Sequence, residues 1–204
     1  MPTAASAVVD VASPRPRPMR ADARHNVDAL LEAAKTVFVE AGVDAPVRSI
    51  AERAGVGVGT LYRHFPLRSD LISAVFRREI DACVAAATEI EATYSPGEAF
   101  DQWIMRYTQF IATKRGLAAA LHSGDAAYEP LAEYFSTRLA PTLERLLIAA
   151  TASGDIVQGV EATEFLGAVA NLCHGGGPSR SEIPGQAQRM VRLLLAGLRT
   201  KDVD

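Results

Sequence analysis

The stretch Ser49–Phe65, SIAERAGVGVGTLYRHF, gathers Thr60, Tyr62, Arg63 and His64 just behind a glycine-broken apolar turn. A tyrosine and a histidine could serve proton transfer in an enzyme. All four together suit nucleic acid: hydroxyls bond phosphate oxygens, and an arginine fork matches the two acceptors on a guanine edge. A second chemical pair is Cys173-His174, which His122 could join in space. Adjacent residues of a helix point about 100° apart, so the pair alone does not converge. The chain has no HExxH, paired CxxC, GxSxG or phosphate-loop pattern. Catalysis is therefore set aside, and no catalytic residue, cofactor or metal site is assigned. Three readings remain. One is a DNA-binding regulator. The alternative is a metal- or redox-sensing regulator acting through Cys173, His174 and His122. The third is a structural helical dimer, in which Arg63→Ala and Tyr62→Phe would alter only stability.

Composition narrows the class. The 204 residues are 49% apolar and 22% charged, enough for one large domain or two small ones. Aromatics are few, at 6%, and Ala and Leu abound, which favours an all-α protein. The net charge is -3, but residues 1–69 hold 9 Lys/Arg against 7 Asp/Glu, while residues 70–204 hold 12 against 17. A mildly basic end on an acidic body suits DNA contact at that end. Cys83 and Cys173 lie in apolar helical surroundings, where reduced buried thiols of a cytoplasmic protein are expected. The N-terminus lacks the basic start and apolar run of a secretion signal, and no apolar run approaches the ~20 residues of a membrane span.

These residues need helices to position them. Residues 1–20, rich in Ala, Ser and Pro, read as a disordered arm, either a solvated tail or a basic arm whose Arg15, Arg17 and Arg20 reach DNA. Apolar spacing predicts nine helices: Ala23–Ala41, Pro46–Ala54, Val58–His64, Leu67–Thr93, Pro96–Lys114, Gly116–His122, Ala126–Ser153 with a kink at Pro141, Glu161–His174 and Pro184–Thr200. Gly42 is expected as a left-handed cap. Ser95-Pro96-Gly97-Glu98 has the signature of a helix start. No strand and no repeat is predicted. Two short helices joined by a glycine turn behind a longer one have the geometry of a helix-turn-helix (motif about residues 46–65), whose second short helix enters the major groove. Ala51 is small where the pair crosses, Gly55 permits the turn, and Val56 and Leu61 can pin the second helix. Thr60, Arg63 and His64 then face outward, and the Tyr62 hydroxyl can reach a phosphate while its ring packs.

AGVGVGTLYRHFPLRSDL resembles the TetR family of bacterial transcriptional repressors, whose pattern is AGV-x-x-GTLY-x-HF followed by a basic residue and an acidic-Leu step. ADARHNVDALLEAAKTVFVEAG resembles the family's first helix. The likeness covers about residues 22–76. It implies a helix-turn-helix DNA-binding domain over residues 21–68 and a helical ligand-binding and dimerisation domain over residues 69–204. It also implies a homodimer on a palindromic double-stranded operator, released when a small-molecule effector binds. By position, Arg48, Thr60, Tyr62, His64 and Arg68 fall where the family contacts phosphates, and Gly57, Val58, Gly59 and Arg63 fall on the groove-facing turn. Arg63 is the candidate for reading a guanine. Gly57 departs from the family's Ser or Thr, which removes a capping side chain, and Pro46 replaces a frequent Thr.

The C-terminal half, with WIMRYTQFIATKRGLAAAL and LLLAGLRT, is similar to the family's SbtR-like subgroup. That likeness implies dimerisation through the last two helices, by Phe165, Leu166, Val169 and Leu172 and by Val191, Leu194, Leu195 and Leu198. Those faces read equally as internal core. A ligand pocket is expected between the fifth and eighth predicted helices, lined by Trp103, Tyr107, Phe110, Tyr128, Tyr134 and Phe135, with His122, Asn171 and His174 as polar contacts. Aromatics at this spacing can also be plain core.

Overall fold

The computed structural model describes residues 18–121, 125–174 and 185–200. Its described residues form eight α-helices: α1 Pro18–Ala41, α2 Val47–Arg53, α3 Val58–His64, α4 Arg68–Thr93, α5 Pro96–Leu121, α6 Glu129–Ala152, α7 Ala162–His174 and α8 Gln186–Leu198. A 3₁₀ turn, Ala126–Tyr128, precedes α6. The only extended pairing among them is a single antiparallel bridge, Ile156 to Arg199.

Several boundaries differ from expectation for identifiable reasons. α1 starts at Pro18, inside the stretch expected to be disordered. Proline is tolerated in the first helical turn, where its missing N–H would be unsatisfied anyway. Arg15 and Arg17 lie outside the described residues. Pro46 is the N-cap of α2 rather than its first turn. The fifth and sixth predicted helices are one, α5, running through Gly116. Glycine costs a helix only about 1 kcal/mol relative to alanine, too little to break it by itself. The segment expected to open α6 as helix is instead the 3₁₀ turn, closed by Asp125, whose carboxylate accepts from the Ala127 N–H at 2.9 Å. α6 continues through Pro141.

The start of α5 forms as read. Glu98 accepts from the Ser95 N–H at 3.1 Å and from its hydroxyl at 2.7 Å. The Gly97 N–H is satisfied from elsewhere, by Asp155 at 2.9 Å. Arg199 reaches the same turn, donating to the Gly97 carbonyl at 3.3 Å and pairing with Asp101. Arg199, just past α8, is thus tied to the first turns of α5.

One apolar cluster runs from the head, formed by α1 to α3, through α4, into the C-terminal helices. Its centre is aromatic. Trp103 stacks on Tyr107 at 5.9 Å, Tyr107 lies 6.0 Å from Phe110, and Phe76 and Phe135 close against Phe110 at 5.7 and 6.2 Å. The Trp103 indole N–H donates to the Cys83 carbonyl at 3.0 Å.

α4 is the shared member. On one flank Glu79 pairs with Lys35 of α1 at 3.0 Å, and Arg78 pairs with Asp28 of α1 at 3.1 Å. On the other, Asp81 receives the Tyr134 hydroxyl at 2.7 Å and the Arg138 guanidinium at 2.8 Å, both from α6. Further along, Arg145 of α6 holds Glu91 through two bonds of 2.9 Å.

Candidate nucleic-acid interface

α2 and α3 are seven residues each, too short to persist without packing. Ile50 and Ala51 anchor α2, and Leu61 anchors α3, all essentially inaccessible, with Phe65 buried just beyond. The turn between them closes on Gly55, whose φ of +68° is a left-handed conformation, while the Val56 N–H donates to the Ala51 carbonyl at 3.0 Å. Gly57 is the N-cap of α3 in an extended conformation and offers no side-chain cap. The Thr60 and Leu61 amides bond its carbonyl instead, at 2.9 and 3.2 Å.

With Leu61 inward, helical geometry turns Gly59, Tyr62 and Arg63 outward. All three are exposed, as are Gly57 and Val58 at the helix start, and Tyr62 is 51% accessible. Thr60 and His64 are half-buried at the edge of this face. Arg63 makes no ion pair or side-chain hydrogen bond with the described residues. Arg48, on α2, is exposed and pairs with Glu52 at 3.0 Å. An exposed pair of this kind is worth under about 1 kcal/mol, so the guanidinium can readily exchange partners.

The residues that bear on the family divide along the chain. Residues 30–75 match the bacterial regulatory proteins of the tetR family, and residues 95–200 match the C-terminal domain of SbtR-like transcriptional regulators. The chain belongs to the TetR family. It is similar to the crystal structure of a TetR transcriptional regulator from Streptomyces coelicolor, with 35% identity, covering 86% of this chain and 99% of that one at a TM-score of 0.71. A TetR regulatory protein from Mycobacterium vanbaalenii is 32% identical, over 90% of this chain and all of that one, with a TM-score of 0.68. An HTH-type transcriptional regulator of Staphylococcus aureus is 33% identical over 109 residues. That match spans 52% of this chain and 59% of the relative's length. The helix-turn-helix of this TetR-family transcriptional regulator is therefore its DNA-binding element.

The other predicted site residues fall out differently. Arg68, placed by the resemblance at a phosphate, turns inward. Its Nε donates to the Val43 carbonyl at 2.7 Å, and Nη2 donates to the Ala45 carbonyl. Trp103, Tyr107 and Phe110 are fully buried in the aromatic centre, and Phe135 packs on it from a half-buried position. Burial pushes the Tyr107 phenol pKa upward, and its hydroxyl donates to the Leu166 carbonyl at 3.3 Å. Tyr128 is half-buried and Asn171 is exposed on α7. His122 lies outside the described residues, as does the side chain of His174.

A groove of about 550 Å³ opens elsewhere, between α6 and residues 158–163, lined among others by Glu144, Leu147, Ile148, Val160 and Thr163. None of the predicted pocket residues lines it.

Most of the residues assigned to dimerisation lie inside the chain. Phe165, Leu166, Val169, Val191 and Leu195 are buried within the chain itself, and Leu194 and Leu198 are half-buried against the same core. Leu172 alone of the set is exposed. Beside Glu164, Asn171, Arg189 and Arg192, the outward faces of α7 and α8 carry Gly167, Ala168 and Leu172, and Met190, Leu193 and Ala196, with Leu193 65% accessible.

The metal- or redox-sensing alternative gains nothing from the geometry. Cys173 is buried, and no group of three or more metal-ligating side chains occurs among the described residues. Cys83 is equally enclosed, and burial pushes its thiol up to about 12. No helix of the described residues is long and apolar enough to cross a membrane.

Proposed function

We propose that this TetR-family protein is a cytoplasmic repressor that binds a palindromic operator as a homodimer and leaves it when a small molecule binds. The observation that carries the reading is the outward face of α3. Leu61 and Phe65 hold the helix, while Tyr62 and Arg63 stand exposed. The glycines of that face support it. A Cβ at Gly57 or Gly59 would meet nothing within 4 Å, and neither residue has a positive φ. The fold does not demand glycine at either position, and a bare backbone suits close approach to a groove wall. Arg63 reads a guanine, while Thr60, Tyr62, His64 and Arg48 hold phosphates around it.

Two such heads in successive major grooves must lie roughly 34–36 Å apart. The exposed apolar faces of α7 and α8 supply the contact between copies. The effector binds among α4 to α7, where half-buried Tyr128, Tyr134 and Phe135 border the closed aromatic centre. It must favour the arrangement that mismatches the operator, since equal affinity for both arrangements would shift nothing.

Selecting genomic fragments with the purified protein, and sequencing those retained, tests this. A palindromic site should be enriched. Arg63→Ala should lose about 1–3 kcal/mol of discrimination per half-site at one base pair, with unfolding unchanged. Enrichment of no site at low or moderate salt would sink the proposal.

A further inference from the structure

The head is held by a contact that is separate from the groove-facing set. Arg68 is the first residue of α4, and its half-buried side chain reaches back over the turn between α1 and α2. There it bridges the Val43 and Ala45 carbonyls. Pro46, the next residue, is the N-cap of α2, and α3 packs on α2. Two carbonyls with one residue between them match the fixed fork of a guanidinium, whereas the compact ammonium of a lysine has no such planar fork. The 3₁₀ turn of the C-terminal domain touches α4 as well. Burial raises the phenol pKa of Tyr128 in that turn, with Asp125 adding to the rise and the Arg68 charge opposing it. Arg68 thus sits where the head, α4 and the C-terminal domain meet.

We propose that Arg68 is a positioning residue for DNA recognition: bonded to the Val43 and Ala45 carbonyls, its guanidinium fixes α2, and through it α3, rather than holding a phosphate. The inference rests on the DNA-binding reading above.

The test uses full-length protein and a duplex carrying the site that the native protein selects from a random-sequence pool. Affinity is measured against salt for native, Arg68→Lys and Arg68→Ala protein. Hydrogen exchange is followed in parallel. A phosphate contact would be largely kept by lysine, and its loss in Arg68→Ala would lower the salt slope by about 0.9 per phosphate. A positioning role predicts the opposite pattern. Both variants lose roughly tenfold in affinity, as the competent head becomes a minor population. The salt slope of Arg68→Ala falls by less than one phosphate per protomer. Amides of Ala45 and Ser49 exchange faster in Arg68→Lys, while that of Ile80 within α4 does not.

Near-native affinity in Arg68→Lys, or a full phosphate lost from the slope in Arg68→Ala, overturns the proposal. Should Arg68→Ala fail to fold, Arg68→Lys carries the test through its affinity and exchange. A native protein that selects no site would instead refute the DNA-binding reading. The exchange experiment still decides the grip in that case, and unchanged exchange in Arg68→Lys would overturn it.

Discussion

The Lys35–Glu79 pair gives the sharpest stability test, because it joins the head to the body and one partner is nearly inaccessible. The Glu79 side chain is 7% exposed and that of Lys35 is 30% exposed, with Nζ and Oε1 3.0 Å apart. At an effective dielectric constant of about 20, that separation corresponds to roughly 5–6 kcal/mol of attraction. Removing the two charges from water costs several kcal/mol per ion, so the pair as a whole is near neutral. Breaking it is a different matter. Lys35→Met keeps the stem's packing but leaves a carboxylate beside α1 with its ion partner removed. The cost should approach the lower end of the range for broken buried pairs, about 3 kcal/mol, because the lysine end is partly wet. Replacing both, as Lys35→Met with Glu79→Leu, should return stability to within about 1 kcal/mol of native. Urea unfolding of the four proteins closes a double-mutant cycle, with an expected coupling of about 2 kcal/mol or more. A Lys35→Met protein within about 0.5 kcal/mol of native would refute the reasoning, since Glu79 would then not depend on this lysine.

Three further outcomes are expected. A Cβ at Gly97 would come within 2.6 Å of the Asp155 Cβ, so Gly97→Ala should cost about 1–3 kcal/mol in thermal unfolding, and an unchanged midpoint would contradict the close approach. Hydrogen bonds from Ser95, side chain first and then backbone, hold the Glu98 carboxyl below its ordinary value of 4.5, and bonds from Ser153 and Gly97 do the same for Asp155. Their folded pKa values are depressed, so the associated stability is fully present above the unfolded values. It is lost as pH falls through the folded ones. Ser95→Ala should move the NMR titration midpoint of Glu98 upward and begin acid unfolding at a higher pH. With Cys83 pushed up to about 12 and Cys173 also buried, neither thiol should react with a thiol reagent until the chain unfolds. Prompt labelling of the native protein would revive a redox role.

The head was legible because its signals are local. Gly42 and Gly55 both take the left-handed conformation that ends a helix, at φ +78° and +68°. α3 spans Val58–His64 as read, because a single buried leucine suffices to fix which face of a two-turn helix turns out. The C-terminal domain was less legible for a physical reason. α7 and α8 carry large apolar residues on both sides: Leu166 and Leu195 face inward, while Leu172 and Leu193 face outward. Periodicity identifies such a helix without saying which stripe meets its own core. The aromatics of α5 raised a similar ambiguity, since spacing places Trp103, Tyr107 and Phe110 on one face but does not say whether that face lines a cavity or fills one. Arg68 could not be read at all, because its acceptors are backbone carbonyls of a turn, invisible to side-chain patterns.

The arrangement of charges on α4 suggests how a change in the C-terminal domain reaches the head. Residues 78 and 79 bind α1, and residue 81 binds α6, so both attachments fall within one helical turn, about 5 Å along the axis. A second clamp, Glu91 with Arg145, holds α6 some 15 Å further on. Two attachments separated along its length resist pivoting between α4 and α6, so these two helices should travel together. Toward the head α4 is also held at two levels, by Arg68 on the α1–α2 turn and, about 15 Å further on, by residues 78 and 79 on α1. A displacement of α6 would therefore carry α4, and with it the head, rather than being absorbed at a single joint between them.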